Sequence, residues 1–369
     1  MRVLRVTPSY ASPDRPGSGL NAFYHSKFSV NKTLILTESK NIKYFCNKND
    51  VILKPINVNM GSLAKPDASI LFQIFKGYSK ILRSLEFLFK ALKHIHVFKP
   101  ELVHLYSPIH LVTGIYCKLV FDSTLVISLH GTDSFRIKKN RVLRSLLLFS
   151  DKVLLMSESM RKDINIPNDL GAYLGNGFDD NIFNKNNEVA KNKQIITVGN
   201  LRWQKDHHTL IKAFSEFQKI YTDYNLIIVG DGELKSELED LIESLNIKSK
   251  VTLKGALSPH DVASLMKQSE FFCLSSVSEG FPKVILESMA CGLPVLTTNV
   301  GDISTVVNDA GIIVKPSCVD SLYSGMLAMV DQHKSLKSAI SNSNIHLRSW
   351  RNITTKLDDI YKSLIAKND

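Results

Sequence analysis

Glu279 and Glu287 stand eight residues apart around a Gly-Phe-Pro turn. Pro282 fits the first turn of a helix and Gly292 fits its left-handed stop, so the sequence predicts a helix of about ten residues from Pro282 to Cys291. A continuous helix would separate the two carboxylates by about 12 Å along its axis, beyond the roughly 5–10 Å of a hydrolytic pair. Chance alone also produces this spacing, but with the turn and helix in register it indicates a grip on an elongated ligand, with sugar and ribose at its two ends.

Two cations, Arg202 and Lys205, lie between a predicted strand at Gln194–Val198 and a predicted helix from about Asp206 to Ile220. This position is the carboxyl edge of a sheet, where open α/β folds bind ligands. Fixed cations there would stabilise a diphosphate leaving group as it gains charge. The alternative is a solvated pair on a surface turn.

His130 follows a predicted strand at Leu125–Ser128, and Gly19 lies in the loop after a predicted strand at Val3–Thr7. A lone histidine at a strand end is structural as often as functional. No acidic partner for a nucleophile is visible in the sequence, so we expect His130 to donate a hydrogen bond. Gly19 permits close approach of a ligand, and a plain turn explains it equally well.

Together these segments resemble the retaining glycosyltransferases of family 4, and the resemblance covers nearly the whole chain. It implies that Glu279 contacts the donor sugar, that Glu287 binds the ribose and that Lys205 meets the diphosphate. It also places His130 near the reacting centre. Further donor contacts are implied for the turn and helix start, at Gly280, Phe281, Pro282, Lys283 and Val284.

The chain departs from the family pattern at three positions. Pro282 stands where the family more often has glycine, and it has no N–H to donate. Asn200 replaces a usual arginine, which makes Arg202 the candidate substitute, and the region of Thr305 lacks a usual acidic residue. Two other classes therefore stay open: a nucleotide-sugar epimerase of the same fold, and a non-catalytic partner subunit.

Strand-like and helical segments alternate through both halves, which predicts parallel sheets covered by helices. The resemblance implies a GT-B fold, with two Rossmann-like doubly wound domains facing each other across a cleft. We assign residues 1–180 to the first domain and 194–349 to the second, with 181–193 as an Asn- and Lys-rich linker. The helix in 350–369 is expected to pack back on the first domain.

Two glycine-containing turns after strands in the second half are predicted to meet the nucleotide. The resemblance implies that Gly230 to Glu233 admits the nucleotide and that Val251 to Ala256 meets the base, mostly through backbone. For the first of these, an ordinary turn is the alternative.

The composition indicates a globular protein, with 369 residues of which 44% are hydrophobic. No apolar run approaches the roughly 18 residues of a membrane span, and an arginine interrupts the apolar start, which predicts a cytoplasmic protein. Five scattered cysteines without a CxxC pair predict reduced core residues rather than disulfides or a zinc site. They are Cys46, Cys117, Cys273, Cys291 and Cys318.

The formal net charge of +11 resides entirely in the first half. Residues 1–180 hold 25 Lys and Arg against 14 Asp and Glu, whereas residues 181–369 hold 21 of each. This predicts an anionic partner for the first half. No zinc-finger, RRM-like or basic-zipper pattern accompanies the charge, so nucleic acid is not expected.

An amphipathic helix predicted over residues 76–99 offers one such surface. Its apolar residues alternate with Lys80, Arg83, Lys90 and Lys93, as in helices that lie on anionic membranes. A helix that packs its apolar face on the sheet and exposes its lysines is the alternative. A second basic run at 136–144 favours the membrane.

The predicted activity is transfer of a sugar, with retention, from a UDP- or GDP-sugar to a glycan or lipid-linked acceptor. The family and the charge balance indicate bacterial envelope polysaccharide synthesis, at the inner face of the membrane. No metal or other cofactor is expected, because side chains and a helix end supply the positive charge.

Overall fold

The computed structural model describes residues 1–10, 19–38, 50–58, 70–130, 133, 137–138, 140–186, 190–279 and 281–367, with residues 70–80, 158 and 159 described by backbone alone. The chain divides into two compact units. The first comprises Met1–Gly175 with Trp350–Asp369, and the second comprises Asn176–Ser349.

In the described residues of the first unit, seven parallel strands form one sheet in the order β3-β2-β1-β4-β5-β6-β7. The strands are β1 (Arg2–Thr7), β2 (Lys32–Thr37), β3 (Val51–Pro55), β4 (Leu102–Leu105), β5 (Thr124–Leu129), β6 (Lys152–Leu155) and β7 (Gly171–Tyr173). The helices between them are α1 (Leu20–Phe28), α2 (Ile70–Phe98), α3 (Leu111–Phe121), α4 (Arg141–Leu147) and α5 (Glu158–Ile164), with a 3-10 turn at Pro108–His110.

The second unit repeats this topology with six described strands in the order β10-β9-β8-β11-β12-β13. They are β8 (Gln194–Val198), β9 (Asn225–Val229), β10 (Val251–Leu253), β11 (Phe271–Leu274), β12 (Val295–Thr298) and β13 (Gly311–Val314). The helices are α6 (His207–Gln218), α7 (Lys235–Ser244), α8 (Pro259–Gln268), α9 (Lys283–Ala290), α10 (Ser304–Val307), α11 (Val319–Asp331) and α12 (His333–Asn342). Shorter 3-10 turns lie at Trp203–Lys205, Asn308–Ala310 and Ile345–Arg348.

The strand sequences explain both sheets. Every residue of β4, β5, β11 and β12 is buried, because helices cover both faces of a parallel sheet and its strands become continuous apolar runs. The two sheets confirm the predicted Rossmann-like domains. We did not predict β11, since four apolar residues cannot be told from a buried helical turn by periodicity.

The crossing between the units differs from the predicted linker at 181–193. The chain changes unit after Gly175, and Phe183 is buried in the core of the second unit. Lys267 Nζ donates to Asn184 Oδ1 at 3.1 Å, and Lys185 Nζ donates to Ser341 Oγ at 3.3 Å. The Asn- and Lys-rich composition therefore belongs to a segment that is bonded to the rest of the second unit.

The last helix, α13 (Trp350–Ile365), belongs to the first unit. Its Trp350, Leu357 and Tyr361 are buried in the same core cluster as the strands of that unit. These residues recur at intervals of seven and four positions, so they lie on one face of the helix.

Helix α2 does not bury all of its apolar residues. Phe87, Ala91 and Ile95 face the core, whereas other apolar residues of the helix are exposed. The exposed residues Ile81, Leu82, Leu85 and Phe89 are called here the α2 stripe. The helix carries apolar residues on two faces, and periodicity does not say which one meets the sheet. Among the described residues, no helix is both long and apolar enough to span a membrane.

Three of the predicted core cysteines, Cys117, Cys273 and Cys291, are buried free thiols, and Cys318 is partly exposed. Burial raises the pKa of Cys117 and of Cys291 to about 12. Such thiols are poor nucleophiles at neutral pH. Cys46 lies outside the described residues.

Candidate functional site

In the second unit the strand order reverses between β8 and β11, the place where doubly wound sheets bind ligands. The loop after β8 carries Lys205, and the loop after β11 carries Glu279. The two loops are tied together by backbone, because Val277 N–H donates to Gln204 O at 2.9 Å. The topology thus brings together two predicted site residues that are 74 positions apart in the chain.

Lys205 and Glu279 form an ion pair, with Lys205 Nζ donating to Glu279 Oε1. Ser276 Oγ donates to the same carboxylate oxygen at 2.7 Å, and Ser275 Oγ donates to Lys205 O at 2.8 Å. The two charged side chains keep 21% and 12% of their surface accessible. The pair is therefore held in place by its loops and remains within reach of a ligand.

Glycines let the loops around Lys205 approach one another. Gly230 has φ +144°, and a Cβ there would lie 1.9 Å from Gly199 O. A Cβ on Gly232 would lie 2.4 Å from Leu201 O, and one on Gly199 would lie 3.2 Å from Lys205 Cε. Loop packing alone thus accounts for these glycines, including the Gly-Asp-Gly turn predicted to admit the nucleotide.

Helix α9 follows Glu279 directly and confirms the predicted helix to within one residue at each end. Pro282 is its N-cap residue, and Gly292 ends it with φ +74°. Ile285, Leu286 and Met289 anchor the helix in the core of the second unit. The amides of its first turn consequently have a fixed direction.

Glu287 lies one turn after Lys283 on α9, and both side chains are partly accessible. Burial raises the pKa of Glu287 to about 7, against the opposing charge of Lys283. Burial likewise lowers the pKa of Lys283, against the charge of Glu287. No described residue donates a hydrogen bond to the Glu287 carboxylate, so the ionised form lacks the donors that would stabilise it.

The other residues of the second unit that were predicted to contact the donor sugar nucleotide are not part of the Lys205–Glu279 pair. Phe281 and Val284 are partly buried against the core, and Gly280 lies outside the described residues. Arg202 is exposed, and its side chain makes no hydrogen bond or ion pair within the described chain. The structure therefore brings Lys205 to Glu279 but does not bring Arg202 to that pair.

Thr305 lies where the sequence lacks the usual acidic residue, and its Oγ1 donates to Asp302 O at 2.7 Å.

His130 and Gly19 belong to the first unit. His130 N–H donates to Asp133 Oδ2 at 3.1 Å, and Asp133 N–H donates back to His130 O at 2.9 Å, so two bonds join these residues just after β5. Gly19 has φ +71°, and a Cβ there would lie 2.4 Å from Ser9 O. Packing against its own loop is sufficient to require glycine at that position, whatever it binds.

Two sequence profiles match this chain. The profile described as Glycosyl transferases group 1 matches residues 178–345, and that of Glycosyltransferase Family 4 matches residues 66–170. Among solved structures, HepE from Anabaena in complex with UDP superposes with a TM-score of 0.77 at 19% identity, over 98% of this chain and all of that one. Sucrose-phosphate synthase from Thermosynechococcus elongatus gives 0.75 at 15% identity, over all of both chains. The chain belongs to the family 4 type of GT-B glycosyltransferases.

Curated relatives of this glycosyltransferase match over shorter stretches. An N-acetylgalactosaminyltransferase of Campylobacter jejuni, named for a diphospho-undecaprenol acceptor, is 35% identical over 162 residues, 42% of this chain and 41% of that protein. A human phosphatidylinositol N-acetylglucosaminyltransferase protein is 32% identical over 172 residues, 45% of this chain and 35% of that protein. The chain thus matches about two fifths of the length of these relatives.

Three further polar residues of the candidate site were not predicted from the sequence: Ser275, Ser276 and Thr298. The two serines hold Lys205 and Glu279, and Thr298 Oγ1 donates to Ser276 O at 2.5 Å. The available signal was a pair of serines directly after the buried run Phe271–Leu274. In the described residues, no group of three or more His, Cys, Asp or Glu side chains is placed to hold a metal ion.

Proposed function

We propose that this protein transfers a sugar, with retention at the anomeric carbon, from a nucleoside-diphosphate sugar to a glycan or lipid-linked acceptor. The observation that carries the proposal is the Lys205–Glu279 pair at the strand reversal, followed directly by the helix that holds Glu287. A cation, a carboxylate and a helix N-terminus in that order suit a diphosphate joined to two polyhydroxylated groups.

Each residue has a role in this proposal. In the transfer, the bond between the anomeric carbon and the β-phosphate oxygen breaks, and its electron pair leaves with the diphosphate. The acceptor oxygen forms the new bond to the anomeric carbon, and its proton passes to the departing diphosphate, which takes it up with the electron pair. Lys205 meets the charge that develops on the diphosphate, Glu279 accepts from sugar hydroxyls and Glu287 accepts from the ribose. His130 donates to the sugar, and the exposed Arg202 supplies a second cation in place of Asn200.

The donor and acceptor classes are supported by similar proteins. HepE has been solved with UDP and with UDP-glucose, which favours a uridine nucleotide here. The names of the Campylobacter and human relatives place their acceptors on diphospho-undecaprenol and phosphatidylinositol. We therefore propose a lipid-linked glycan acceptor in bacterial envelope polysaccharide synthesis, with no metal required because Lys205 and the α9 amides supply the positive charge.

A panel of nucleotide sugars in thermal unfolding tests the donor, because a ligand that binds only the folded state raises the midpoint. The stabilising donor is then incubated with short-chain polyprenyl-diphosphate glycans, and release of nucleoside diphosphate is measured. We expect release that depends on acceptor, and a product whose anomeric configuration by NMR is that of the donor. An inverted product would overturn retention.

The same assay separates the two alternative classes. An epimerase would convert the donor sugar without acceptor, which NMR of the donor alone detects. A non-catalytic partner subunit would bind the nucleotide sugar but release no nucleoside diphosphate with any acceptor. Glu279→Gln is the matched control for nucleoside diphosphate release at this site, since it keeps the shape of the side chain while removing its charge.

We further propose that the first unit associates with an anionic membrane through the α2 stripe. Its Leu85 and Phe89 are exposed apolar side chains, and Phe89 is 77% exposed. The predicted cations contribute less than expected, because Arg83 is bonded to Glu38, and Lys90 is bonded to Glu86 at 2.6 Å and to Asn57 O at 2.7 Å. Lys93 is exposed and has no such partner in the described chain. Apolar insertion is therefore proposed to carry most of the binding.

Co-sedimentation with phosphatidylglycerol vesicles tests this surface. We expect binding that weakens with salt, that falls strongly in Leu85→Ser/Phe89→Ser and that falls less when Lys80, Arg83, Lys90 and Lys93 are neutralised together. Val97→Ser is the matched control, because Val97 is equally exposed on the same helix about 12 Å further along its axis. Equal sedimentation of all variants, or none of the wild type at low salt, would overturn the membrane proposal.

A further inference from the structure

A cluster of buried rings lies behind His130 in the first unit, and the residues already assigned to the site do not include it. Tyr106 directly follows β4 and is 5% exposed, while His25 on α1 and His104 on β4 are fully buried. Buried polar groups of this kind are retained only where hydrogen bonds satisfy them. The hydrogen bonds and ring contacts of these three residues therefore show which neighbouring side chain the cluster supports.

Tyr106 makes the contact with His130. The two rings are parallel, with an interplanar angle of 3° and centroids 6.2 Å apart, within the range of offset stacking. The backbone of His130 is fixed separately by Asp133, as described above. The backbone bonds fix the position of the His130 main chain, and the Tyr106 ring limits the plane of the His130 imidazole.

Tyr106 is itself held from three directions. Its hydroxyl lies 2.7 Å from His25 Nδ1, its ring stacks on His104 at 4.2 Å, and its backbone N–H donates to Val6 O at 2.9 Å. Burial raises the pKa of Tyr106 above its ordinary value, so the hydroxyl keeps its proton and its bond to His25 at neutral pH. The ring has little freedom to rotate away from His130.

The last helix of the chain completes the support. Trp350 on α13 packs edge-on against His25 with centroids 5.7 Å apart, and Tyr361 Oη lies 2.5 Å from His104 Nδ1. His104 Nε2 is bonded to Ser128 Oγ at 2.7 Å, so both of its ring nitrogens are engaged. A continuous set of rings thus runs from α13 through His25 and His104 to Tyr106 and His130.

We propose that Tyr106 is a positioning residue whose ring, fixed by His25 and His104, sets the orientation of the His130 imidazole for the reaction. The kinetic part of this inference rests on the proposed glycosyl transfer and on the role of His130 in it. The structural part does not, because ring orientation can be measured in the absence of any substrate.

The test compares Tyr106→Leu, which removes the ring, with Tyr106→Phe, which removes only the hydroxyl. Tyr116→Phe is the matched control, since its hydroxyl also bonds an imidazole, His96 Nε2, at 2.6 Å. The Cε1–H resonance of His130 is assigned by its loss in His130→Asn. We expect Tyr106→Leu to shift that resonance, Tyr106→Phe to shift it less, and Tyr116→Phe to leave it in place.

Turnover should follow the same order. We expect Tyr106→Leu to lower kcat by about tenfold to a hundredfold, as small misplacements of a reacting group do, with donor Kd near that of the wild type. Tyr106→Phe should retain most of kcat. An unmoved His130 resonance in folded Tyr106→Leu, or a kcat equal to that of Tyr116→Phe, would overturn the proposal.

Two further variants keep the outcomes separate. If Tyr106→Leu does not fold, His25→Phe leaves Tyr106 in place and removes its hydroxyl partner, and an unmoved His130 resonance in that variant overturns the positioning role. If His130→Asn retains the turnover of the wild type, the proposed catalytic role of His130 is wrong. The resonance shift in His25→Phe, which keeps the Tyr106 ring and its ring current, still decides whether the cluster orients the imidazole.

Discussion

The carboxyl edges of the two sheets share a strand order but are built from different chemistry. In the first unit the groups near the edge are buried and mostly neutral rings, and burial, followed by His25 and Arg5, holds the pKa of His104 well below its usual value. In the second unit the edge carries an accessible ion pair, Lys205 with Glu279, on loops closed by small residues.

The two edges are therefore suited to different tasks. Buried rings that bond one another resist reorganisation, so they can hold a side chain in one orientation but offer little to a ligand. A charge pair that keeps part of its surface accessible can exchange its partner for a ligand charge. We infer that the first edge orients and the second edge binds.

Removing the cation of the second edge should have the largest effect. Lys205→Ala is expected to lower kcat by about 100-fold to 1000-fold, comparable to loss of one preorganised donor, and to change donor Kd less, because the charge it meets grows as the diphosphate leaves. Steady-state kinetics measure this. Lys219→Ala is the control, since Lys219 is an exposed lysine whose one ion-pair partner among the described residues is Glu216. A rise in KM without a fall in kcat would contradict the leaving-group role.

Substitution of Glu287 tests whether the second unit binds the donor. Glu287→Ala should weaken donor binding by roughly 1.5–3 kcal/mol, the value of a hydrogen bond to a charged group. Because ribose hydroxyls bind the ionised carboxylate, and its pKa is raised to about 7, wild-type affinity should fall as pH drops below 7.

Calorimetric titration between pH 6 and 8 measures both effects. Glu287→Gln corrects for titration of the ligand, since it shares every ionisation except that of Glu287 and should show the weaker pH dependence. Unchanged affinity in folded Glu287→Ala would remove this residue from the site.

The raised pKa of Glu287 also makes a smaller prediction about stability. This pKa rises from 4.5 to about 7 on folding, so the folded state holds the proton more tightly, and stability is lost as pH rises from 4.5 through 7. The free energy of unfolding of Glu287→Gln minus that of the wild type should therefore be larger at pH 8 than at pH 4. The increase should be at most about 3 kcal/mol, since each tenfold change in proton affinity is worth about 1.4 kcal/mol. Urea unfolding at both pH values measures it, and Glu243→Gln, an exposed carboxylate, should show no such gain.

The smallest effect is expected at the α2 stripe. Phe89→Ser should change the free energy of unfolding by less than about 0.5 kcal/mol, as exposed substitutions do. Phe87→Ala, two residues earlier and fully buried, should cost about 3–5 kcal/mol. Urea unfolding of the pair checks which face of α2 meets the core. Equal losses would show that the stripe is covered.

The fold was predictable because its strands are continuous apolar runs between helical segments. Strands β1, β5 and β8 occur within one residue of their predicted ends, and Gly292 ends α9 as its sequence position indicates. The unit boundary was not predictable in the same way. Phe183 packs within a polar segment, and composition does not show whether such a segment is bonded to a neighbour.

The local features of the site follow from the sequence: a helix that begins after Glu279, a carboxylate one turn from Lys283, and two cations after a buried strand. Only the tertiary structure decided which of these meet. It pairs Lys205 with Glu279 across 74 residues, leaves Arg202 exposed and sets Tyr106 against His130. The physical reason is that spacing fixes contacts within one element, whereas contacts between elements depend on the order in which strands join the sheet.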